Sequence, residues 1–213
     1  IKKQILQIPL PDDQYIREQT PKTNIYLHHT AGSSNPFEVV NWWSSNAERV
    51  ATHFIIAGPP PGGVTQWRDG QICQCYSAMY WGWHLGLKSS EMPKGSKTST
   101  IINSNAVAIE ICNWGFLSKN KKGQYINYAN GIVPEDQVVQ LDTYRGSKYW
   151  HKYTDAQLAS TKTLLQYLGD RWNIPIGFKG MEIFDIDPRA FKCEPGVYSH
   201  VSVRRDKTDC SPQ

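Results

Sequence analysis

The chain has 213 residues and a formal net charge of +4, and 39% of its residues are hydrophobic. This apolar content supports a folded core and excludes a disordered chain. Lys and Arg never occur in runs longer than two residues, which argues against a nucleic-acid groove. No stretch approaches the ~20 apolar residues that a membrane span needs.

The first half of the sequence alternates between predicted strands and a helix. Residues 1–23 are polar and contain proline, which predicts a lead-in segment, and its start is a poor signal peptide. A buried strand is predicted at Asn24–His29 and a second at Ala51–Ala57. Between them, Pro36 to Asn46 has helical spacing, with Asn35 as the N-cap and Pro36 at the first helical position.

Short strands are expected near Val64–Trp67 and Gln71–Tyr76. Asn105–Cys112 is apolar at nearly every position, which is typical of a central strand. Between about 116 and 152 the periodicity is lost, and we expect an insertion that adds a hairpin over the surface. The pattern predicts a single α/β domain over 24–213, with a central mixed β-sheet flanked by helices.

A long helix is predicted from a capping box at Thr154–Gln157 to about Trp172, with Tyr153 and Leu158 as a hydrophobic staple. Its apolar face is expected to contain Leu158, Thr161, Leu165, Leu168 and Trp172. After this helix, Pro195–His200 is predicted to approach the functional site once more.

Histidines at the ends of predicted strands are the candidates for chemistry. His28 and His29 end the first strand, and His200 ends the last apolar run, with Asp209 and Cys210 in the loop beyond. Open sheets bind ligands at such strand ends. Two distant histidines with a carboxylate or a thiolate are typical of a catalytic zinc site, which we therefore expect at the sheet edge. The five cysteines are odd in number, so at least one thiol is free. On spacing alone, ordinary core and surface histidines are the favoured explanation of the pattern.

Five segments, in the same order along the chain, resemble the type 2 N-acetylmuramoyl-L-alanine amidases. Leu27–Gly32 resembles the opening zinc motif of that family, Gly82–Gly86 its Trp-His-x-Gly stretch, and His200–Pro212 its closing zinc motif. Ala51–Ile56 and Asn105–Ile111 resemble its second strand and its glutamate strand. The similarity spans about residues 24–114 and 154–212.

The resemblance implies zinc-dependent hydrolysis of the amide bond between N-acetylmuramic acid and L-alanine in peptidoglycan. It implies His28 and His200 as zinc ligands and Glu110 as the group that handles the water proton. The chain departs from the phage lysozyme pattern at Thr52, where those enzymes have tyrosine, so Glu110 is expected to take over that work. His53 and His84 match positions near the family's cleft and are expected to contact substrate or to support the residues that bind the metal, with simple hydrogen-bonded packing as the alternative.

The resemblance leaves the third zinc ligand open between two neighbours. With Lys207 as the residue that stabilises the oxyanion, the ligand is Asp209; with Thr208 in that role, it is Cys210. The spacing from His200 and the strength of thiolate as a zinc donor favour Cys210. We therefore predict His28, His200 and Cys210 as the metal ligands, with Lys207 or Thr208 as the helper.

Two other functions compete with the hydrolase. One is a peptidoglycan-binding module without activity, which commonly lacks the third ligand, and the other is an unrelated α/β protein.

The predicted partner is peptidoglycan, with no nucleic acid, and the protein is expected to be a monomer. It is expected to act on the cell wall, either phage-delivered, periplasmic or secreted, and the lack of a recognisable wall-binding repeat favours a bacteriolytic endolysin of the phage type.

Overall fold

The computed structural model describes residues 4–213, so the first three residues of the predicted lead-in segment lie outside the described part. Strands form at β1 Leu6–Gln7, β2 Asn24–His29, β3 Phe54–Ile56, β4 Ile72–Gln74, β5 Ala106–Ile111, β6 Phe116–Lys119, β7 Tyr125–Ile126, β8 Val138–Tyr144, β9 Ser147–His151 and β10 Gly196–Ser199. Helices form at α1 Pro36–Ser44, α2 Ser99–Ser104, α3 Asp155–Trp172 and α4 Pro188–Phe191.

The main sheet has six strands in the order β1-β4-β3-β5-β2-β10. The strands β3, β5, β2 and β10 run parallel, whereas β4 pairs antiparallel with β3. The predicted central mixed sheet flanked by helices is therefore confirmed. Since the carboxyl ends of parallel strands meet at one edge, the ends of β2, β5 and β10 come together there.

The two faces of this sheet pack against different helices. Alternate residues of β2 and β5 (Ile25, Val107 and Ile109) pack against Leu164 and Leu168 of α3. The residues between them face the other way: Tyr26 joins Tyr198 in a core formed with α2 and α4, and α1 covers the β3–β4 side of that face. Because successive strand side chains alternate between faces, each position of β2 is assigned to one layer.

The segment predicted as an insertion at about 116–152 forms a second sheet with strand order β7-β6-β9-β8. Its pairings are antiparallel, and Trp150 of β9 is fully buried beneath it. The β8–β9 hairpin reaches back to the closing loop, since the Tyr144 hydroxyl donates to the Cys210 carbonyl (3.1 Å) and Arg145 donates to the Arg205 carbonyl (2.9 Å). This sheet therefore supports the loop that follows β10.

Several predicted elements differ in detail from the structure. The strand expected at 51–57 is limited to Phe54–Ile56, because the imidazole of His53 accepts the Ala108 backbone N–H that a longer ladder would use. The strand expected at 64–67 does not form, since prolines and glycines at 59–63 lead into turns. On α3, Leu158 is exposed and Leu164 is buried, so the buried face lies one step around the helix from the predicted one.

The helices predicted from 36 and from 154, and the strands predicted at 24–29, 105–112 and within 71–76, form within a few residues of their expected bounds, and the predicted lead-in segment contributes β1 to the main sheet. The Asn35 side chain accepts the Phe37 N–H at the start of α1, and Thr154 and Gln157 form the capping box of α3. Across residues 4–213, none of the helices has the length and apolar character needed to cross a membrane.

Candidate metal centre

The carboxyl end of β2 directs two adjacent histidines to opposite faces of the sheet. His29 lies on the α3 side, where its Nδ1 is 3.1 Å from the hydroxyl of Tyr153. His28 lies on the other side, next to Glu110 of β5, its register partner. The alternation of a strand therefore places only His28 in the layer that contains the candidate site.

Three donor atoms converge where β2 and β10 end. The Nδ1 atoms of His28 and His200 are 3.1 Å apart, and the Oδ2 atom of Asp209 lies 3.2 Å from the first and 2.9 Å from the second. All three residues are buried. These residues form a group with the composition of a metal site.

The second nitrogen of each imidazole has its own partner. His28 Nε2 lies 3.1 Å from His84 Nδ1, and His200 Nε2 lies 3.1 Å from the carbonyl oxygen of Leu85. A carbonyl only accepts, so His200 carries its proton on Nε2 when it is neutral and presents a lone pair at Nδ1. Metal-binding histidines typically use one nitrogen for the metal and donate from the other in this way.

The donor set fits a zinc ion. A tetrahedral zinc with bonds of about 2.0–2.1 Å separates its donors by roughly 3.3 Å, close to the separations seen here. Two imidazole lone pairs aimed at one point repel each other unless a cation or a proton lies between them. Burial, followed by the nearby His200, lowers the pKa of His28 to about 4, which favours the neutral ring that a metal requires.

The carboxylate of Asp209 is ionised in this environment. Burial alone would raise its pKa, but the charge and hydrogen bond of His200, together with those of His28, outweigh burial and hold the pKa well below its ordinary value. A negatively charged oxygen between two imidazoles is a suitable ligand for a divalent cation.

Cys210, the predicted third ligand, lies elsewhere. Its side chain packs in the core beneath the α3 face with Tyr153, and burial raises the pKa of its thiol well above the ordinary value. Asp209 and Cys210 point in different directions, so only one can reach the histidines. The Asp209 carbonyl accepts the Val201 N–H (3.1 Å), which fixes the loop with the carboxylate inward. The structure thus brings Asp209, the alternative, to His28 and His200.

Glu110 lies one strand away from His28 and faces the same layer. Neighbouring strands are about 4.8 Å apart, so register pairing places the two side chains next to each other. Burial, with a further contribution from the charge of Asp209, raises the pKa of Glu110 well above its ordinary value, while Lys207 opposes this. A carboxyl group with a raised pKa can exchange a proton near neutral pH.

Lys207 and Thr208 both lie in the closing loop and are half-buried. The positive charge of Lys207 favours a lower pKa of both Glu110 and His28. Thr208 has no charge and exerts no such effect. The choice between Lys207 and Thr208 as the residue that stabilises the oxyanion stays a prediction.

The two histidines predicted to contact substrate have other partners. His53 is fully buried, its Nδ1 accepts the Ala108 N–H (3.0 Å), and its Nε2 donates to the Tyr80 carbonyl (2.9 Å). Both ring nitrogens of His53 are thus bonded to backbone, which agrees with the packing alternative, and its contact with substrate stays a prediction. His84 is buried against His28, and its Nε2 has no hydrogen-bond partner among residues 4–213.

Sequence reasoning missed two residues that touch this centre. Leu85 contributes only its backbone carbonyl, which no side-chain pattern reveals. Asn103, on α2, accepts the backbone N–H groups of His84 and Leu85 with its side-chain oxygen. The sequence of α2, STIINS, is mostly polar, so it contained no signal that distinguished Asn103.

The sequence model described as N-acetylmuramoyl-L-alanine amidase matches residues 18–212. PlyL is similar in structure with a TM-score of 0.48 and 15% identity, covering 93% of this chain and 82% of PlyL. A selenomethionine derivative of AmpD is similar in structure with a TM-score of 0.49 and 15% identity, and the match covers 98% of this chain and 88% of AmpD. No curated protein sequence matches. Because the sequence match spans nearly the whole chain, this protein belongs to the N-acetylmuramoyl-L-alanine amidase family.

Proposed function

We propose that the protein hydrolyses the amide bond between N-acetylmuramic acid and L-alanine of peptidoglycan and that it depends on zinc held by His28, His200 and Asp209. The observation that carries this proposal is the convergence of two Nδ1 atoms and one carboxylate oxygen within 3.2 Å of one another, together with the separate partners of both Nε2 atoms. Zinc in this position would supply a Lewis acid, which polarises a carbonyl and lowers the pKa of water.

Glu110 is the proposed proton carrier. Its carboxylate takes one proton from the attacking water as the water oxygen bonds to the lactyl carbonyl carbon. When the C–N bond breaks, the same carboxyl group gives that proton to the leaving amine of alanine. A raised pKa suits both steps, because a carboxyl group with an ordinary pKa holds the proton too weakly to deliver it to an amine.

Lys207 is the proposed stabiliser of the oxyanion. Its positive charge acts on the pKa of Glu110 and of His28, and a positive charge within reach of the site would lower the energy of the negative oxygen that develops on the substrate carbonyl. Thr208 was the candidate only if Cys210 bound the metal. We therefore assign this role to Lys207 and place the activity at the cell wall, in lysis or remodelling.

Purified peptidoglycan digested with the protein tests the reaction. We expect mass spectrometry to show free stem peptides with an N-terminal alanine alongside unsubstituted glycan strands. A chelator should abolish release, and zinc should restore it. Glu110→Gln should lower turnover by about 10²–10⁴-fold while the zinc content is unchanged, since it removes only the proton acceptor.

The same experiment separates hydrolysis from binding alone. A protein that pulls down peptidoglycan but releases no peptide would be a binding module, which contradicts the proposed activity. Cleavage between sugars or within the stem peptide would contradict the proposed bond. Full activity in a metal-free preparation would contradict the proposed zinc dependence.

A further inference from the structure

One dipeptide contacts both histidines of the candidate metal centre. His84 approaches His28 Nε2 through its Nδ1 atom, and the next residue, Leu85, accepts from His200 Nε2 through its carbonyl, each at 3.1 Å. The two contacts lie on the side of the imidazoles away from Asp209. The orientation of both rings therefore depends on where this one short segment lies.

The dipeptide is fixed from behind by Asn103. The Oδ1 atom of Asn103 accepts the N–H of His84 (3.0 Å) and the N–H of Leu85 (3.2 Å), and its Nδ2 donates to the Ser99 carbonyl (2.9 Å). Asn103 is fully buried, and so is the Leu85 side chain. Burying an amide is costly unless its hydrogen bonds are made, and here both ends of the amide are used.

The partners of the dipeptide restrict which tautomers are possible. The Leu85 carbonyl also accepts from Arg204 Nη1 (3.2 Å), so both of its lone pairs are used. His84 is buried, and Nδ1 is the ring nitrogen through which it contacts His28. When His84 accepts at Nδ1, the proton of His28 lies on Nε2, which leaves His28 Nδ1 free to bind a cation.

We propose that Asn103 is a positioning residue for the metal centre and acts through His84 and Leu85 to set the orientation and tautomer of His28 and His200. This inference rests on the proposed function, in which those rings hold zinc. Residues that orient metal ligands typically contribute 10–100-fold to metal affinity, although they do not touch the metal.

Zinc affinity, measured by competition with a fluorescent chelator, tests the inference without any substrate. Asn103→Leu keeps the side-chain size but removes the acceptor of both N–H groups, and we expect zinc affinity to fall by about 10–100-fold. The Co²⁺-substituted protein should show an altered visible absorption spectrum, because the ligand geometry changes. Melting of the zinc-free protein is followed in parallel to measure stability alone.

A matched control is present in the second sheet. Asn127 is also buried, and its Oδ1 atom also accepts two backbone N–H groups, from Ala129 (3.0 Å) and Gly131 (2.9 Å). Asn127→Leu should lower the melting temperature without changing zinc affinity. Equal losses of zinc affinity in the two variants would mean that general destabilisation is responsible, and this would overturn the proposal.

If Asn103→Leu does not fold, substitutions of His84 test the same inference. His84→Asn places its side-chain oxygen near the position of Nδ1 and should retain close to the wild-type zinc affinity, whereas His84→Leu should lose about 10–100-fold. Wild-type affinity in His84→Leu, or an equal loss in both variants, would overturn the inference alone. Absence of zinc binding in the wild-type protein would instead overturn the proposed function, and this inference with it.

Discussion

At the scale of single residues, two pairs of chain neighbours are divided between the site and the core. His28 faces the candidate metal centre and His29 bonds to Tyr153, while Asp209 faces that candidate centre and Cys210 packs in the core beside the same tyrosine. In each pair, the backbone geometry sends successive side chains in different directions. Which member faces the site depends on the register of the surrounding structure.

This division predicts opposite effects for substitutions at Asp209 and Cys210. Asp209→Asn keeps the shape but removes the negative charge, so zinc affinity should fall by more than the 10–100-fold typical of an indirect partner, and activity should fall with it. Cys210→Ala should retain zinc and lower the free energy of unfolding by about 1 kcal/mol through lost packing. Zinc content and urea denaturation measure the two effects. Loss of zinc in Cys210→Ala alone would make the thiol the ligand after all.

At the scale of elements, α3 supports the sheet from the face opposite the metal centre. Thr154 accepts the Gln157 N–H (3.0 Å) at its start and donates to Asp69 (2.9 Å), which ties the helix to the loop before β4. At the other end, Asn173 adopts a left-handed conformation and terminates the helix. Both ends of the helix are therefore fixed by local side chains.

We expect Thr154→Ala to lower the free energy of unfolding by about 1–2 kcal/mol, because it leaves a helix N–H and Asp69 without their partner. The matched control is Thr163→Ala on the same helix, where the exposed hydroxyl bonds only to the Ala159 carbonyl. Thr163→Ala should change the free energy of unfolding by no more than about 0.5 kcal/mol. Urea denaturation of both variants makes the comparison, and equal effects would contradict a capping role for Thr154.

At the scale of the whole molecule, the fold encloses several neutral histidines. Burial lowers the pKa of His53 to about 3, and burial, followed by the charge of His29, lowers that of His151 to about 4. An unfolded histidine has a pKa of about 6.5. Between these values the unfolded chain binds protons that the folded protein does not, so folding stability is fully present above about pH 6.5 and is lost as the pH falls.

The free energy of unfolding should therefore decrease from pH 7.5 to pH 5 in the presence of a chelator, which removes any contribution from metal. His151→Asn retains an acceptor for the Trp114 N–H (3.3 Å) and should reduce the slope by up to ~1.4 kcal/mol per pH unit, the contribution of one proton. Guanidinium denaturation at several pH values measures this slope. Because the raised pKa of Glu110 contributes a slope of the opposite sign, the comparison of the two proteins is decisive: an unchanged slope in His151→Asn would contradict a lowered pKa of His151.

Local sequence patterns were sufficient to predict the main helices and strands and the family of the protein. Asn24–His29 and Asn105–Cys112 are apolar enough to predict buried strands, and Thr154–Gln157 predicts where α3 begins, because strand burial and helix capping depend on residues close in sequence. The His28, Glu110 and His200 candidates followed from motifs at strand ends. The sequence could not show which face of α3 is buried, because the apolar residues fit more than one rotation of the helix.

Only the tertiary structure decided which residues meet at the metal centre. The choice of Asp209 over Cys210 depends on a backbone hydrogen bond to Val201 and on the hairpin contact from Tyr144, both made by residues distant from the histidines. The partners of His53 and the role of the Leu85 carbonyl are likewise contacts between separate elements. Residue types determine which groups can bind a metal or a proton. Long-range packing determines which of these groups come within 3.2 Å of one another, as His28 Nδ1 and Asp209 Oδ2 do.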